Sequence, residues 1–161
     1  MPLSGYMQLP DIAGESIANG HEEEIDLHSI SWKVAQKSAA KSARGRRSAR
    51  SEVGAVRLNK FYDAASPYLA LAAMQGRSFD EIVLSVRKDS GEEAFDYLKI
   101  TLGNALITGY RMLPQDDDDY SLIEEEVSIS AETINILYTV QADDHTAGAE
   151  HEVEYDIAAG V

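Results

Sequence analysis

The sequence predicts a mainly β protein, an antiparallel sandwich or barrel with one short α-helix. Three observations support this fold class. Apolar residues alternate with polar ones in six separate runs, which is the pattern of strands with one buried face. Turn-forming residues separate these runs at short spacings, as in antiparallel sandwiches and barrels. One segment has helical character, so strands and helices do not alternate as in a parallel α/β fold.

The alternating runs define the predicted strands and their buried faces. Ile25 and Leu27 are out of phase with the run that starts at Ile30, so we expect a bulge or a switch of buried face near His28–Ser29. Trp32 alternates with two aliphatic residues and is expected in the core. The six runs place apolar residues at Ile30, Trp32 and Val34; at Ile82, Leu84 and Val86; at Leu98, Ile100 and Leu102; at Val127 and Ile129; at Ile134, Ile136, Tyr138 and Val140; and at Val153, Tyr155 and Ile157.

Turn residues mark where these strands end. Glycine, proline and clustered aspartate interrupt regular strands, and a short interruption between two runs predicts a hairpin. The predicted turns are Ser90–Gly91 between strands 81–88 and 95–103, Pro114 with the aspartates 116–119, and residues 143–148 after strand 133–141.

The flanking helix is predicted at about residues 67–75. Ser66 offers an N-cap hydroxyl, and Pro67 stands at the first helical position, where its missing N–H costs nothing. Residues 68–75 are mostly strong helix formers. Gly76 then supplies the left-handed residue that commonly ends a helix.

The chain length and composition indicate one domain that covers residues 1–161. There is no cysteine, which excludes disulfides, thiolate metal sites and a cysteine nucleophile, and which is compatible with a reducing cytoplasm. No segment approaches the roughly 18 apolar residues that a membrane span needs, so no membrane insertion is expected. Residues 1–20 lack Lys, Arg and a long apolar core, so we predict no Sec-type signal peptide.

Charge is distributed unevenly along the chain. The formal net charge is -14, which argues against a nucleic-acid partner. Nine of the 14 Lys and Arg residues lie between Lys33 and Lys60, whereas 14 of the 28 Asp and Glu residues follow Arg111 and no Lys or Arg does. Such a chain can attract copies of itself head to tail, which is a heterologous contact. An unevenly charged, solvated surface is the alternative.

Residues 37–51 form a basic segment of low complexity, which we call the basic arm. It contains nothing apolar larger than alanine, so it cannot bury a face and is predicted to be a flexible loop. It also lacks the interleaved aromatic residues that stack on bases, so an acidic protein surface is the more economical partner. Its basic residues are Lys37, Lys41, Arg44, Arg46, Arg47 and Arg50.

The sequence carries no recognisable catalytic or cofactor motif. G-x-S-x-G, GxGxxG and GxxxxGK[ST] are absent, and no carboxylate pair is distinguished from the many others. The four histidines lack the HxxxH spacing of a helical zinc site, and the acidic run 116–126 lacks the central glycine of a calcium loop. We therefore predict no enzyme, no cofactor and no metal, with His145 and His151 as exposed turn residues.

Several short blocks of the chain form a pattern through their order and spacing. The residues in these blocks are 14–16, 20–22, 25–26, 29–32, 63–67, Leu69, Gly76, Phe79, 126–129, Ile134, Tyr138, Asp143 and 155–156. Each block alone is a weak signal, but together they extend from about Gly14 to Ile157 and resemble the haemolysin-coregulated protein (Hcp) family of the bacterial type VI secretion system. The sequence departs from the family at Glu22–Glu24, where glycine and an aromatic residue are common, and in its unusually basic arm and acidic 115–126 segment.

The resemblance implies two antiparallel sheets forming a barrel-like sandwich with the short helix beside it. It also implies a structural tube protein whose homohexameric rings stack into a secreted tube. The spike protein, sheath and effector proteins of the system would be further partners. The chain would be cytoplasmic before firing and then secreted without a signal peptide.

The resemblance also suggests how rings would stack. In the family, the loop after the second strand reaches toward the neighbouring ring, and here the basic arm aligns with that loop. We therefore expect the arm to dock on an acidic counter-face of the next ring, with multivalency strengthening weak individual ion pairs. The predicted counter-face consists of Asp116, Asp117, Asp118, Asp119, Glu124, Glu125 and Glu126.

Three other functions remain open from the sequence. A ring-shaped carrier or chaperone for secreted effectors is compatible with the tube. A phage-tail-like tube protein of another contractile system would share the fold, because fold alone does not fix function. A carboxylate-dependent hydrolase would require a cleft with a distinguished acid or base.

Overall fold

The protein is described by a computed structural model that covers residues 3–36, 51–90, 93–115 and 122–161. Ten strands and one helix lie within these ranges. In chain order they are β1 (Ser4–Gln8), β2 (Ile25–Leu27), β3 (Ser29–Ser31), β4 (Val34–Ala35), β5 (Glu52–Val53), β6 (Val56–Phe61), α1 (Ser66–Gln75), β7 (Ser78–Ser90), β8 (Glu93–Met112), β9 (Glu124–Gln141) and β10 (Ala147–Asp156).

Eight strands form one antiparallel sheet that curls into a nearly closed barrel. The order is β2-β1-β7-β8-β9-β6-β3, and β10 pairs with β9 outside this path. Its two end strands are consecutive in the chain and are separated by His28 alone, whose backbone N–H donates to the carbonyl of Asn59 on β6. The predicted switch of buried face near His28–Ser29 is confirmed, because Ile25 and Leu27 lie in the core and Ile30, which has the opposite parity, also packs against it. The chain changes its partner strand at the same point, since β2 pairs with β1 and β3 with β6.

A small second sheet, β4 with β5, stands apart from the barrel. Val34 pairs with Val53 and Ala35 with Glu52, so the two strands on either side of residues 37–50 in the sequence pair with each other. The fold class is therefore confirmed: a mainly β protein with one helix, a barrel-like sheet and a second small sheet. The predicted hairpin between strands 81–88 and 95–103 is also present as β7 and β8.

Strand β9 divides its pairing between two partners. One edge pairs with β8 along most of its length, from Glu125 to Tyr138. The other edge pairs with β6 over residues 124–129 and with β10 over residues 133–141. The first half of β9 therefore closes the barrel, and the second half carries an outer hairpin with β10.

The barrel core is built from the alternating apolar residues. Val127 and Ile129 of β9 are buried, and so is Ile134, which has the opposite parity. On β8, between the partners of Ile129 and Ile134, Asn104 has a left-handed φ of 47°. The core residues include Met7, Ile25, Leu27, Leu58, Leu69, Phe79, Ile82, Leu84, Ile100, Leu102, Ala105 and Ile107.

Helix α1 begins one residue earlier than predicted and is capped differently. Its N-cap residue is Ala65, without a side-chain hydrogen bond, so the predicted N-cap role of Ser66 is wrong. The Ser66 hydroxyl is buried and bonds to charged groups beneath the helix instead. At the other end Gly76 has φ 62°, which confirms the predicted left-handed residue. No helix within the described ranges is long and apolar enough to cross a membrane.

Candidate assembly surface

The inner face of the sheet continues beyond the barrel without cover. Leu84 on β7, Ile100 on β8, Ile136 on β9 and Val153 on β10 are successive cross-strand partners on this face. Leu84 and Ile100 are 1% and 6% exposed, Ile136 is half-buried, and Val153 is 65% exposed. The core face of the barrel therefore becomes a solvent-exposed apolar face along the outer hairpin.

This exposed face corrects the prediction for the last strand. The alternation in Val153, Tyr155 and Ile157 predicted a strand with one buried face. Tyr155 and Ile157 do pack against the core, but the side chains of β10 from residue 147 to residue 154 are exposed. Tyr138 and Val140 of β9, also predicted to be inward, are 45% and 36% exposed. The pattern gave the correct face, but no other part of the described chain covers it.

Trp32 stands beside this face and is not a core residue. It lies between β3 and β4 and is 38% exposed, and its indole N–H donates to the carbonyl of Gly54, 3.1 Å away, next to the second sheet. This bond ties the ring to the segment between β5 and β6. An apolar cleft of about 360 Å³ lies beside the ring, lined chiefly by Trp32, Val34, Val53, Ile136, Val153 and Tyr155.

We call this surface the outer apolar face; it comprises Trp32, Val34, Tyr138, Val140 and Val153. Charged residues lie around it. On β10, Glu150, Glu152 and Glu154 alternate with His151 and Val153, so the three carboxylates share the opposite side of the strand. On the other side of Trp32 a second recess is lined partly by Lys33 and Arg57. The outer apolar face thus lies next to a recess with basic residues, while the three carboxylates of β10 lie on the other side of the strand.

Much of the predicted stacking site lies outside the described residues. This applies to Lys37, Lys41, Arg44, Arg46, Arg47, Arg50 and Asp116–Asp119. Glu124 and Glu126 are described, and both are partly exposed at the start of β9. Glu124 accepts a hydrogen bond from the Asn59 amide and lies 3.2 Å from His28 Nε2.

Glu125 does not belong to an acidic counter-face. Its side chain is fully buried and bonds to the ammonium of Lys60, which is also fully buried, and to the hydroxyls of Ser66 and Tyr110. Alternation along β9 explains the difference, because Glu124 and Glu126 face outward and Glu125 faces inward. Two of the three glutamates therefore remain in the predicted counter-face.

Lys60 is the centre of a buried polar cluster that sequence analysis missed. Its ammonium also lies 3.0 Å from Asp63 Oδ1, 3.0 Å from Ser66 Oγ and 2.9 Å from the carbonyl oxygen of Phe61. Burial, with the bond to Glu125 as a further cause, raises the pKa of Tyr110 well above its ordinary value. The cluster joins β6, β8 and β9 to the start of α1.

A second polar cluster fixes the loop between β1 and β2. His21 is 5% exposed, and its two ring nitrogens lie 3.0 Å from Glu24 Oε1 and 2.8 Å from Asp96 Oδ1. The ring stacks on Tyr6, with centroids 4.3 Å apart and planes 5° apart. Asp96 also lies 3.5 Å from Arg87 Nε.

Two carboxylates in or next to this loop, Glu22 and Asp26, have shifted pKa values. The N–H groups of Glu22 and Gly20 donate to the Glu22 carboxylate and lower its pKa. Burial raises the pKa of Asp26 at the end of the loop, although the Ser16 hydroxyl opposes this shift. Gly14 permits the close approach on which the loop depends, because a Cβ there would lie 2.4 Å from the carbonyl oxygen of Glu24.

The turn before β10 contains Asp144, whose pKa is also shifted. The hydroxyl and N–H of Thr146 donate to Asp144 Oδ1 at 2.6 and 3.2 Å and lower its pKa. His145, in the same turn, is exposed and has a left-handed φ of 67°. Within the described ranges, no three His, Asp or Glu side chains form a group that could hold a metal ion.

Comparison with known proteins agrees with this fold. Residues 6–138 match the family described as "Type VI secretion system effector, Hcp". Protein Hcp1 of Pseudomonas aeruginosa is 26% identical over 144 residues, which cover 89% of this chain and 88% of that protein. The structure of Hcp1 from Salmonella typhimurium superimposes with a TM-score of 0.80 at 24% identity, covering 99% of this chain and 98% of that one. A structure described as a type six secretion system protein has a TM-score of 0.89 at 19% identity, with coverage of 99% and 98%.

The family match places this barrel-like β fold among the proteins of type VI secretion. The family match covers most of the chain, and the chain therefore belongs to the Hcp family, the tube proteins of type VI secretion.

Proposed function

We propose that this chain assembles into hexameric rings that stack into a tube, and that it acts as a structural protein without catalytic activity. The tube would be built in the cytoplasm and released by the secretion system, with the spike protein, sheath and effector proteins as its partners. The observation that carries the proposal is the outer apolar face, in which the core side of the sheet continues to a 65% exposed Val153.

Apolar surface of this kind favours association. Burying it removes water-exposed apolar area, which stabilises an interface in proportion to that area. Tyr138 and Trp32 add aromatic rings, a residue class enriched at protein interfaces. A neighbour that covers the outer apolar face with a different surface makes a heterologous contact, and such contacts generate rings when the rotation closes.

Light scattering of the purified protein at low and high salt tests the ring. We expect a species of about 106 kDa, six times the 17.6 kDa mass of one chain, at both salt concentrations. Larger species confined to low salt would be stacked rings, because screening weakens contacts between exposed charges. A monomer at every concentration would contradict the proposal.

Two matched variants test the surface itself. Val153→Lys places a charge on the outer apolar face, and we expect it to dissociate the ring. The far-ultraviolet circular dichroism spectrum of the variant should match that of wild type, which would show that the chain still folds. Glu152→Lys places the same side chain on the opposite side of β10 and should leave the ring intact. Rings that survive Val153→Lys would show that another surface forms the contact.

A further inference from the structure

We propose that His21 is a doubly protonated clamp, and that the loss of one imidazole proton releases the loop of residues 14–24 from the barrel. The clamp would make this loop a pH-sensitive element of the subunit, closed at lower pH and loosened at higher pH.

The geometry around the ring carries the proposal. Nδ1 lies 3.0 Å from both oxygens of Glu24, and Nε2 lies 2.8 and 2.9 Å from the two oxygens of Asp96. A carboxylate accepts hydrogen bonds and does not donate them, and a neutral imidazole has one N–H. Both contacts are therefore hydrogen bonds only when the ring carries two protons.

The surrounding charges favour this protonated state. Glu24 and Asp96 supply two negative charges next to the ring, and Arg87 on β7 supplies a second positive charge 3.5 Å from Asp96. Glu22 adds a further carboxylate in the same loop, and its own backbone contacts hold it ionised. From β1, the Tyr6 ring stacks on the imidazole. Deprotonation would leave a lone pair facing a carboxylate, with the side chain 7% exposed and little water to compensate.

The clamp joins segments that are distant in sequence. His21 and Glu24 lie in the loop, and Asp96 is near the start of β8. Within the loop, the N–H of Ser16 donates to the Glu24 carbonyl at 3.0 Å, and the N–H of Glu23 donates to Ser16 at 2.9 Å. These amides report on the order of the loop, because each exchanges with solvent when its hydrogen bond within the loop opens.

Nitrogen-15 NMR of the intact protein, titrated from pH 5 to pH 9, tests the clamp directly. We expect two protonated ring nitrogens at low pH, one above the transition, and a fall of about tenfold or more in the protection factors of the Ser16 and Glu23 amides across the same transition. A neutral ring at pH 5 would overturn the clamp. A ring that stays doubly protonated to pH 9, or amide protection that does not follow the ring, would overturn the switch.

Two variants separate the clamp from general effects of pH. His21→Gln donates to at most one carboxylate at any pH, so protection in the loop should be low and should lose its pH dependence. His151→Gln changes an exposed histidine on β10 and should keep the wild-type transition. The wild-type titration needs no variant and decides the proposal even if His21→Gln does not fold. Because these readouts concern one subunit, failure of ring formation would leave them unaffected.

Discussion

Lys60 and Glu125 are direct register partners on β6 and β9, and both side chains are completely buried. Ser66, Asp63, Tyr110 and the Phe61 carbonyl complete their hydrogen bonding. The pair is therefore a satisfied buried ion pair that fixes the start of α1 over the barrel. Such pairs cost desolvation when they form, and removing one partner is expensive because the other charge remains buried.

Lys60→Met is expected to destabilise the protein by about 3–5 kcal/mol, since it leaves the Glu125 carboxylate without its cation. Urea unfolding followed by circular dichroism measures the free energy of unfolding. Arg57→Met, on the exposed side of the same strand, is the matched control and should change it by less than about 1 kcal/mol. Similar effects for the two variants would mean that the buried pair contributes nothing particular.

Tyr110 is expected to lower the stability of the folded protein at alkaline pH. Burial and the bond to Glu125 raise the pKa of its phenol above the ordinary value of 10.0. The folded state therefore favours the neutral phenol, so its contribution is complete below about pH 10 and falls as the pH rises through the pKa of the unfolded chain. Urea unfolding at several pH values above 9 should show a steeper loss for wild type than for Tyr110→Phe.

The control for this experiment is Tyr68→Phe, which removes an exposed phenol on α1. It should retain the wild-type slope. Near neutral pH, Tyr110→Phe should itself cost about 1.5–3 kcal/mol because the bond to a charged acceptor is lost. Equal alkaline slopes in all three proteins would contradict the assignment.

Stacking is predicted to depend on the basic arm. Reversing Arg46 and Arg47 to Glu should abolish the large species seen by light scattering at low salt, while rings remain, because the arm would then repel the acidic start of β9. Reversing Lys88 and Lys99 instead makes the same change in net charge outside the arm and should preserve stacking. Loss of the rings themselves in the arm variant would assign the arm to the ring contact.

The barrel could be predicted from sequence because its strands follow a local rule. Ile82, Leu84, Ile100 and Leu102 alternate with polar residues and are buried, and Gly76 ends the helix as expected. The apolar alternation specified a face for each strand. Whether that face is covered depends on which other segments pack against it, and the alternation carries no information about them. Val153 lies on the predicted face but is exposed for this reason.

The polar clusters could not be predicted, because their members are far apart in the chain. Lys60 and Glu125 are 65 residues apart, and His21 and Asp96 are 75 apart. Glu125 is flanked by two other glutamates with the same side chain. The one local signal that separates it from them is strand alternation, because Glu125 shares the inward-facing side of Val127 and Ile129.

The division of β9 between β6 and β10 has a consequence for how subunits are supplied to a growing assembly. The barrel ladders are complete without β10, whose backbone pairs only with β9 among the described strands. A newly made chain can therefore reach its folded state before it meets a neighbour. Folding and ring formation would then be separate steps, and the supply of rings would depend on the concentration of folded chains without concurrent folding.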